Sequence, residues 1–219
     1  MTSALTYKEI RENIGIAGLG LAALLFVAST SMGWMSLPFN LSYSTRQGNI
    51  PFLNDSFTTQ FAVVAFALAA ALGLRQSLGD FFGDAYLFLL HRPVSRTQVL
   101  ATKLVVGLAL YLVCAATAVL LYSWWASLPG THASPFEWSM TLMVWVTLLA
   151  ITPVYLGAFL AGLRGAAWLG TRLAPLATAL LISLLCITIP WSVALPLIVV
   201  SDVLLIVLIL FVGETRDYA

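Results

Sequence analysis

Six long apolar runs dominate the chain, at residues 14–35, 57–74, 104–125, 138–160, 173–189 and 193–212. Each approaches the roughly 20 residues that an α-helix needs to cross the hydrocarbon of a bilayer. Lipid offers the backbone no hydrogen-bond partners, so a spanning segment must be a helix or a strand of a closed barrel. Barrel strands would alternate apolar and polar residues in segments of about 10, and these runs do not alternate. The first run is too long for a signal-peptide core and lacks an A-x-A cleavage pattern ahead of a polar region. The sequence therefore predicts an all-α polytopic membrane protein, a single domain over 1–219 with six transmembrane helices. Composition agrees: 9% of residues are charged and 61% are hydrophobic, against about 25% charged in soluble domains. A formal net charge of +1 gives no case for a nucleic-acid partner.

Six crossings put both chain ends on one side. The segments on that side carry Lys8, Arg11, Arg75, Arg92, Arg96, Lys103, Arg164, Arg172 and Arg216, and the other side carries Arg46 alone. Basic residues mark the cytoplasmic face of membrane proteins, which predicts both termini in the cytoplasm. On the opposite side, 36–56 is polar and proline-containing and reads as an exterior loop. Asn40 and Asn54 open N-x-S sequons there, which matter only in a glycosylating compartment. Tyr122, Trp124, Trp125 and Trp138 gather around a turn, as an interfacial aromatic belt would. Only Pro190, Trp191 and Ser192 separate the last two runs, which predicts a tight hairpin.

The basic patch "LLHRPVSRTQVLATK" interrupts this apolar pattern between the second and third spans. Ahead of it, "QSLGDFFGDAYLFLLHR" places Asp80 and Asp84 on one helical face with Ser77 and His91 nearby. Phe81, Phe82, Ala85 and Leu89 fall largely opposite. That pattern predicts a short amphipathic helix along the membrane surface, ended at Pro93. Ser95-Arg96-Thr97-Gln98 then reads as a capping box for the third span, with Arg92, Arg96 and Lys103 ringing its mouth. A basic loop can also be a topology determinant and nothing more.

The segment "GDAYLFLLHRPVSRTQVLATKLVVG" resembles the signature region of ABC-2 family transporter permeases. The resemblance rests on Asp84, the apolar stretch Leu87 to Leu90, Pro93-Val94-Ser95-Arg96 and Lys103. The six-span layout and the N-terminal "TYKEIREN" helix, within 1–13, resemble the same family. Asp84 and Ala85-Tyr86 stand where the commoner pattern has Glu and Gly-Thr. The resemblance implies a permease subunit of an ATP-driven transporter, an exporter, in a plasma membrane such as the bacterial inner membrane. It implies pairing with a second permease, identical or related, and a separate ATP-binding subunit docked on a coupling segment at 76–99. Asp80, Asp84, His91, Arg92 and Arg96 would make that coupling contact. The chain contains no G-x-x-x-x-G-K-[ST], so ATP would bind the partner and this subunit would need no cofactor of its own.

Other residues bear on alternatives. Asp202, in "VVSDVLLIVL", sits near the centre of the last span, where a carboxylate is costly and a functional candidate by default. It could equally be a protonated or hydrogen-bonded group packed against Ser, Thr or Tyr of another helix. His91 and His132 are the only histidines and fall on opposite sides. No grouping has metal-ligand spacing, and no serine–histidine pair lies at one depth inside the spans, so the chain is not expected to be an enzyme. Cys114 and Cys186 read as buried small hydrophobes. Gly15, Gly18, Gly20, Gly73, Gly157, Gly162, Gly165 and Gly170 read as helix-packing positions, within the chain or at a homodimer seam. Pro153, Pro175, Pro190 and Pro196 punctuate the last three spans, as in some secondary carriers. A secondary carrier, or a non-transporting scaffold for a soluble partner, remains the alternative function.

Overall fold

The computed structural model describes residues 2–34, 50–53, 56–78, 96–132, 135–164 and 169–215. All regular structure among them is helical: α1 (Thr2–Ser31), α2 (Phe57–Leu78), α3 (Arg96–Ser127), a 3₁₀ turn (Trp138–Thr141), α4 (Leu142–Ala150), α5 (Thr152–Leu163), α6 (Leu169–Thr188) and α7 (Trp191–Thr215). Six stretches are long and apolar enough to cross a bilayer: Ala4–Ser31, Phe57–Leu78, Thr97–Ser127, Trp138–Leu163, Gly170–Thr188 and Trp191–Thr215. They coincide with the six apolar runs. The chain is a multi-pass membrane protein.

Helix α5 is the hub. All 12 of its residues are buried, and it packs on α2, α6 and α7, while α1 lies against α2 and α3. Small residues let these backbones meet. A Cβ on Gly73 of α2 would overlap the Tyr155 carbonyl and the Phe159 amide of α5. The residues turned outward are aliphatic or aromatic, among them Val63, Val113, Leu181, Val203 and Phe211. In water such a surface would drive aggregation; against lipid it is the ordinary exterior.

The glycines divide by this packing. Gly20, Gly73 and Gly157 face neighbouring helices, but Gly15 and Gly18 have open space beside them. The tight hairpin is present, with α6 ending at Thr188 and α7 beginning at Trp191. The amides of Val193 and Ala194 both donate to the Pro190 carbonyl at 3.0 Å. Pro175 and Pro196 lie inside their helices without ending them.

The fourth span is the one that breaks. In a continuous helix the Leu149 carbonyl would accept from residue 153, which is a proline and has no N–H. The chain turns instead at Ile151. The Thr152 hydroxyl donates to Leu149 O at 2.8 Å, and the Ile151 amide turns back to the same carbonyl. Val154 N–H closes the turn on Ile151 O at 3.0 Å, and the Tyr111 hydroxyl of α3 reaches Leu148 O at 2.9 Å. Broken backbone at membrane depth is tolerated only when side chains or neighbouring helices satisfy it in this way.

One end of the bundle is sealed by rings. Phe52, at a left-handed φ of 67°, lies 4.8 Å from Tyr122 and 5.7 Å from Phe57 between ring centroids. Tyr122 stacks on Phe57 at 4.3 Å and on Trp125 at 5.6 Å. Tyr122 therefore belongs to the core and not to the interfacial belt expected of it, because its helix face points at α2. Trp124 and Trp138 do face outward.

Candidate functional site

The polar chemistry of the bundle gathers at two places. The first joins the start of α1, the end of α2, the start of α3 and the middle of α5. Glu9 and Lys103 are almost wholly buried and form an ion pair at 3.4 Å. Burying either charge alone would cost several kcal/mol, and only a paired arrangement with further hydrogen bonds offsets that cost. Gln76 supplies one such bond to the ammonium and a second tie between the two backbones. Its side-chain Nε2 donates to Lys103 O at 3.2 Å, and Lys103 Nζ reaches back to Gln76 O at 3.4 Å. Gln76 stands in the last turn of α2, whose carbonyls lack intrahelical donors and carry the negative end of the helix dipole. A lysine ammonium suits that position.

Tyr155 completes the network from α5. Its hydroxyl donates to Gln76 Oε1 at 2.6 Å and lies 3.4 and 3.3 Å from the carbonyls of Lys103 and Leu104. This approach to α3 requires Gly107, where a Cβ would overlap both Gln76 Oε1 and the Tyr155 hydroxyl. Asn13, one turn after Glu9, donates to the Glu9 carbonyl at 2.8 Å. Nearby, the Ser77 hydroxyl donates to Gly73 O at 2.8 Å, and Thr97 of α3 meets Glu214 of α7 at 3.5 Å.

Two sequence expectations change here. Lys103 does not ring the mouth of the third span: it is buried, because Glu9 and the end of α2 offer it anionic and carbonyl oxygens inside the bundle. Ser77, read as lying near the Asp80 and Asp84 face, is buried. It lies in α2, packed against α5, and Gln76 beside it is likewise core. The N-terminal "TYKEIREN" is continuous with the first span in the 30 residues of α1. Asp80, Asp84, His91 and Arg92 lie outside the described residues, as do the sequons at Asn40 and Asn54. Arg96 is the first residue of α3; Ser95, expected to cap it, lies outside the described residues.

Sequence reading missed Glu9, Asn13, Gln76 and Tyr155. A signal existed: Glu9, Asn13 and Ala17 repeat every fourth residue on the face that continues as Leu24 and Ala28, all of them buried. A polar continuation of an apolar stripe marks a polar contact inside the bundle.

The second place is the break in the fourth span. Asp202, midway along α7, has Oδ2 at 2.6 Å from the Thr152 hydroxyl, the same group that bonds Leu149 O. Its Oδ1 is buried with no hydrogen-bond partner among the described residues. Thr152 is thus the hydroxyl on another helix that the sequence left unspecified. Cys186 of α6 is buried nearby in a satellite apolar cluster with Val146, Ala150, Ala194 and Ile198, and both cysteines are free. His132 bonds the Ala126 carbonyl through Nε2 at 2.7 Å. Arg172 reaches the carbonyls of Ala161 and Gly162 at 3.4 Å, covering the C-terminus of α5 as a cation should.

No family model, curated protein or solved structure matches the chain.

Proposed function

We propose that the chain is the membrane-spanning permease subunit of an ATP-driven ABC transporter, an exporter, working with a separate ATP-binding subunit and a second permease. In this reading both termini face the cytoplasm of a bacterial cell and the segment at 76–99 is where the ATPase docks. Asp80, Asp84, His91, Arg92 and Arg96 carry the contact, and no catalysis falls to this chain. The supporting sequence is the ABC-2-like run from Asp84 to Lys103.

The observation that carries the reading is how the two flanks of that run are anchored. Gln76 precedes it and Lys103 closes it. The two are hydrogen-bonded to each other and to Tyr155 of α5, and Lys103 is ion-paired with Glu9 of α1. A push on the intervening residues would be delivered at once to the first helix and to the buried hub. A ligand or partner shifts a conformational equilibrium only through such differential contacts.

The test is affinity purification of the detergent-solubilised chain from its native host, with partners identified by mass spectrometry. A Walker-motif ATPase should co-purify, and reversing the charges at Asp84 and Arg92 should release it without removing the subunit from the membrane. Recovery of the chain without any ATPase across several detergents would overturn the reading. In that case a secondary carrier becomes the better assignment, favoured by the broken fourth span facing Asp202, a pattern that carriers use at their binding sites.

A further inference from the structure

We propose that Asp202, Thr152 and the Leu149 carbonyl form a proton-binding site inside the bilayer, whose occupancy decides whether the break in the fourth span is fastened. Thr152 Oγ1 lies 2.8 Å from Leu149 O and 2.6 Å from Asp202 Oδ2. A hydroxyl has one hydrogen and can donate it once. An ionised Asp202 and the Leu149 carbonyl would compete for that hydrogen. A proton on Oδ2 resolves the competition, since Asp202 then donates to Thr152 and Thr152 donates to Leu149 O.

The second oxygen agrees. Oδ1 is buried and meets no donor among the described residues, a place where a neutral C=O costs far less than half of a carboxylate charge. The oxygen–oxygen distance suits a shared hydrogen and leaves no room for a metal ion between the two atoms. The elements packed on α7 are α3, α4, α5 and α6. On α6, Cys186 lies within electrostatic range of Asp202, and α4 has no titratable residue. On α5, Tyr155 is engaged with Gln76. On α3, Tyr111 donates to Leu148 O, Cys114 approaches Ala17 O and Lys103 pairs with Glu9. On α7 itself, Glu214 meets Thr97. No described cation forms an ion pair with Asp202.

Dissociation would turn Asp–COOH into Asp–COO⁻ and pass the proton to water. The carboxylate would then claim the Thr152 hydrogen, leaving Leu149 O with the Ile151 amide alone and loosening the turn. The site stands whether or not the chain partners an ATPase.

Infrared difference spectroscopy on the full chain in lipid nanodiscs tests this. At neutral pH the protein should show the C=O stretch of a protonated carboxylic acid that shifts in D₂O. The band should vanish in Asp202→Asn and persist at a shifted frequency in Thr152→Val. Absence of the band, or the same band in Asp202→Asn, would overturn the site. An unshifted band in Thr152→Val would overturn the bond to Thr152, and that variant decides the question if Asp202→Asn does not insert. Protection of the Ile151 and Val154 amides, after correction for the base-catalysed intrinsic exchange rate, should fall at the alkaline pH where the band disappears. Unchanged protection would disprove the coupling to the break.

Discussion

Glu9 and Asp202 are both carboxylates held away from water, and the fold treats them in opposite ways. Glu9 is given a lysine, and around the pair stand an amide, a tyrosine hydroxyl and the carbonyl end of a helix. Asp202 is given one threonine hydroxyl that is already engaged, and its other oxygen receives nothing. The first arrangement suits a charge that stays. The second suits a group that is neutral when the helices are packed as seen. What separates the two carboxyls is the neighbouring cation: Glu9 has the Lys103 ammonium at 3.4 Å, whereas no described cation forms an ion pair with Asp202, and a nearby opposite charge is what favours the ionised form.

The contrast breaks most visibly at Lys103. Lys103→Met removes the cation from Glu9 while keeping the volume, and should cost about 3–5 kcal/mol, the usual penalty for leaving one half of a buried pair. Unfolding by SDS titration in mixed micelles would read it. Combining Lys103→Met with Glu9→Gln should recover most of that loss, since removing both charges of a buried pair is often close to neutral. If the double variant is as unstable as the single one, the ion pair is not what holds α1 to α3.

Gly107→Ala tests the same network by geometry. The added methyl would displace both the Gln76 amide and the Tyr155 hydroxyl. Overpacking costs about 1–3 kcal/mol, to which the weakened hydrogen bonds add about 1 kcal/mol. Tyr155→Phe removes only the hydroxyl and should cost about 1–2 kcal/mol by leaving Gln76 Oε1 short of its donor. A Gly107→Ala variant milder than Tyr155→Phe would show that α3 shifts to make room.

How far these features could be read from the sequence follows from their range. The six spans are legible because hydropathy is summed over some 20 residues, so no single position decides it. The break in the fourth span was legible only as Pro153, one of the four prolines that punctuate the last three spans; that Pro175 and Pro196 leave their helices intact depends on neighbours the sequence does not display. Lys103 was read as a basic residue at a mouth because its position beside Arg92 and Arg96 is local information. Its partner, Glu9, comes from another helix, and their meeting is fixed by how α1 crosses α3. Asp202 was legible as an anomaly, since one carboxylate among Val, Leu and Ile needs no context to stand out. Which hydroxyl it meets depends on the turn that Pro153 creates.

Asp202→Asn should be the mildest change of the set, costing less than about 1.5 kcal/mol, and it is the one that sharpens the comparison most. An asparagine amide can donate to Thr152 as a protonated carboxyl does, and its carbonyl can occupy the buried position of Oδ1 without charge. The side chain is nearly isosteric, so packing against α5 and α6 is retained. Glu9→Gln, the same chemical change at the other carboxylate, should cost clearly more because it leaves Lys103 charged in a buried place. Measured side by side in the SDS titration, the two substitutions read the charge each carboxyl carries in the folded bundle. Equal losses would mean that Asp202 is also ionised there and draws compensation from a group it does not touch, and the contrast between the two sites would fall.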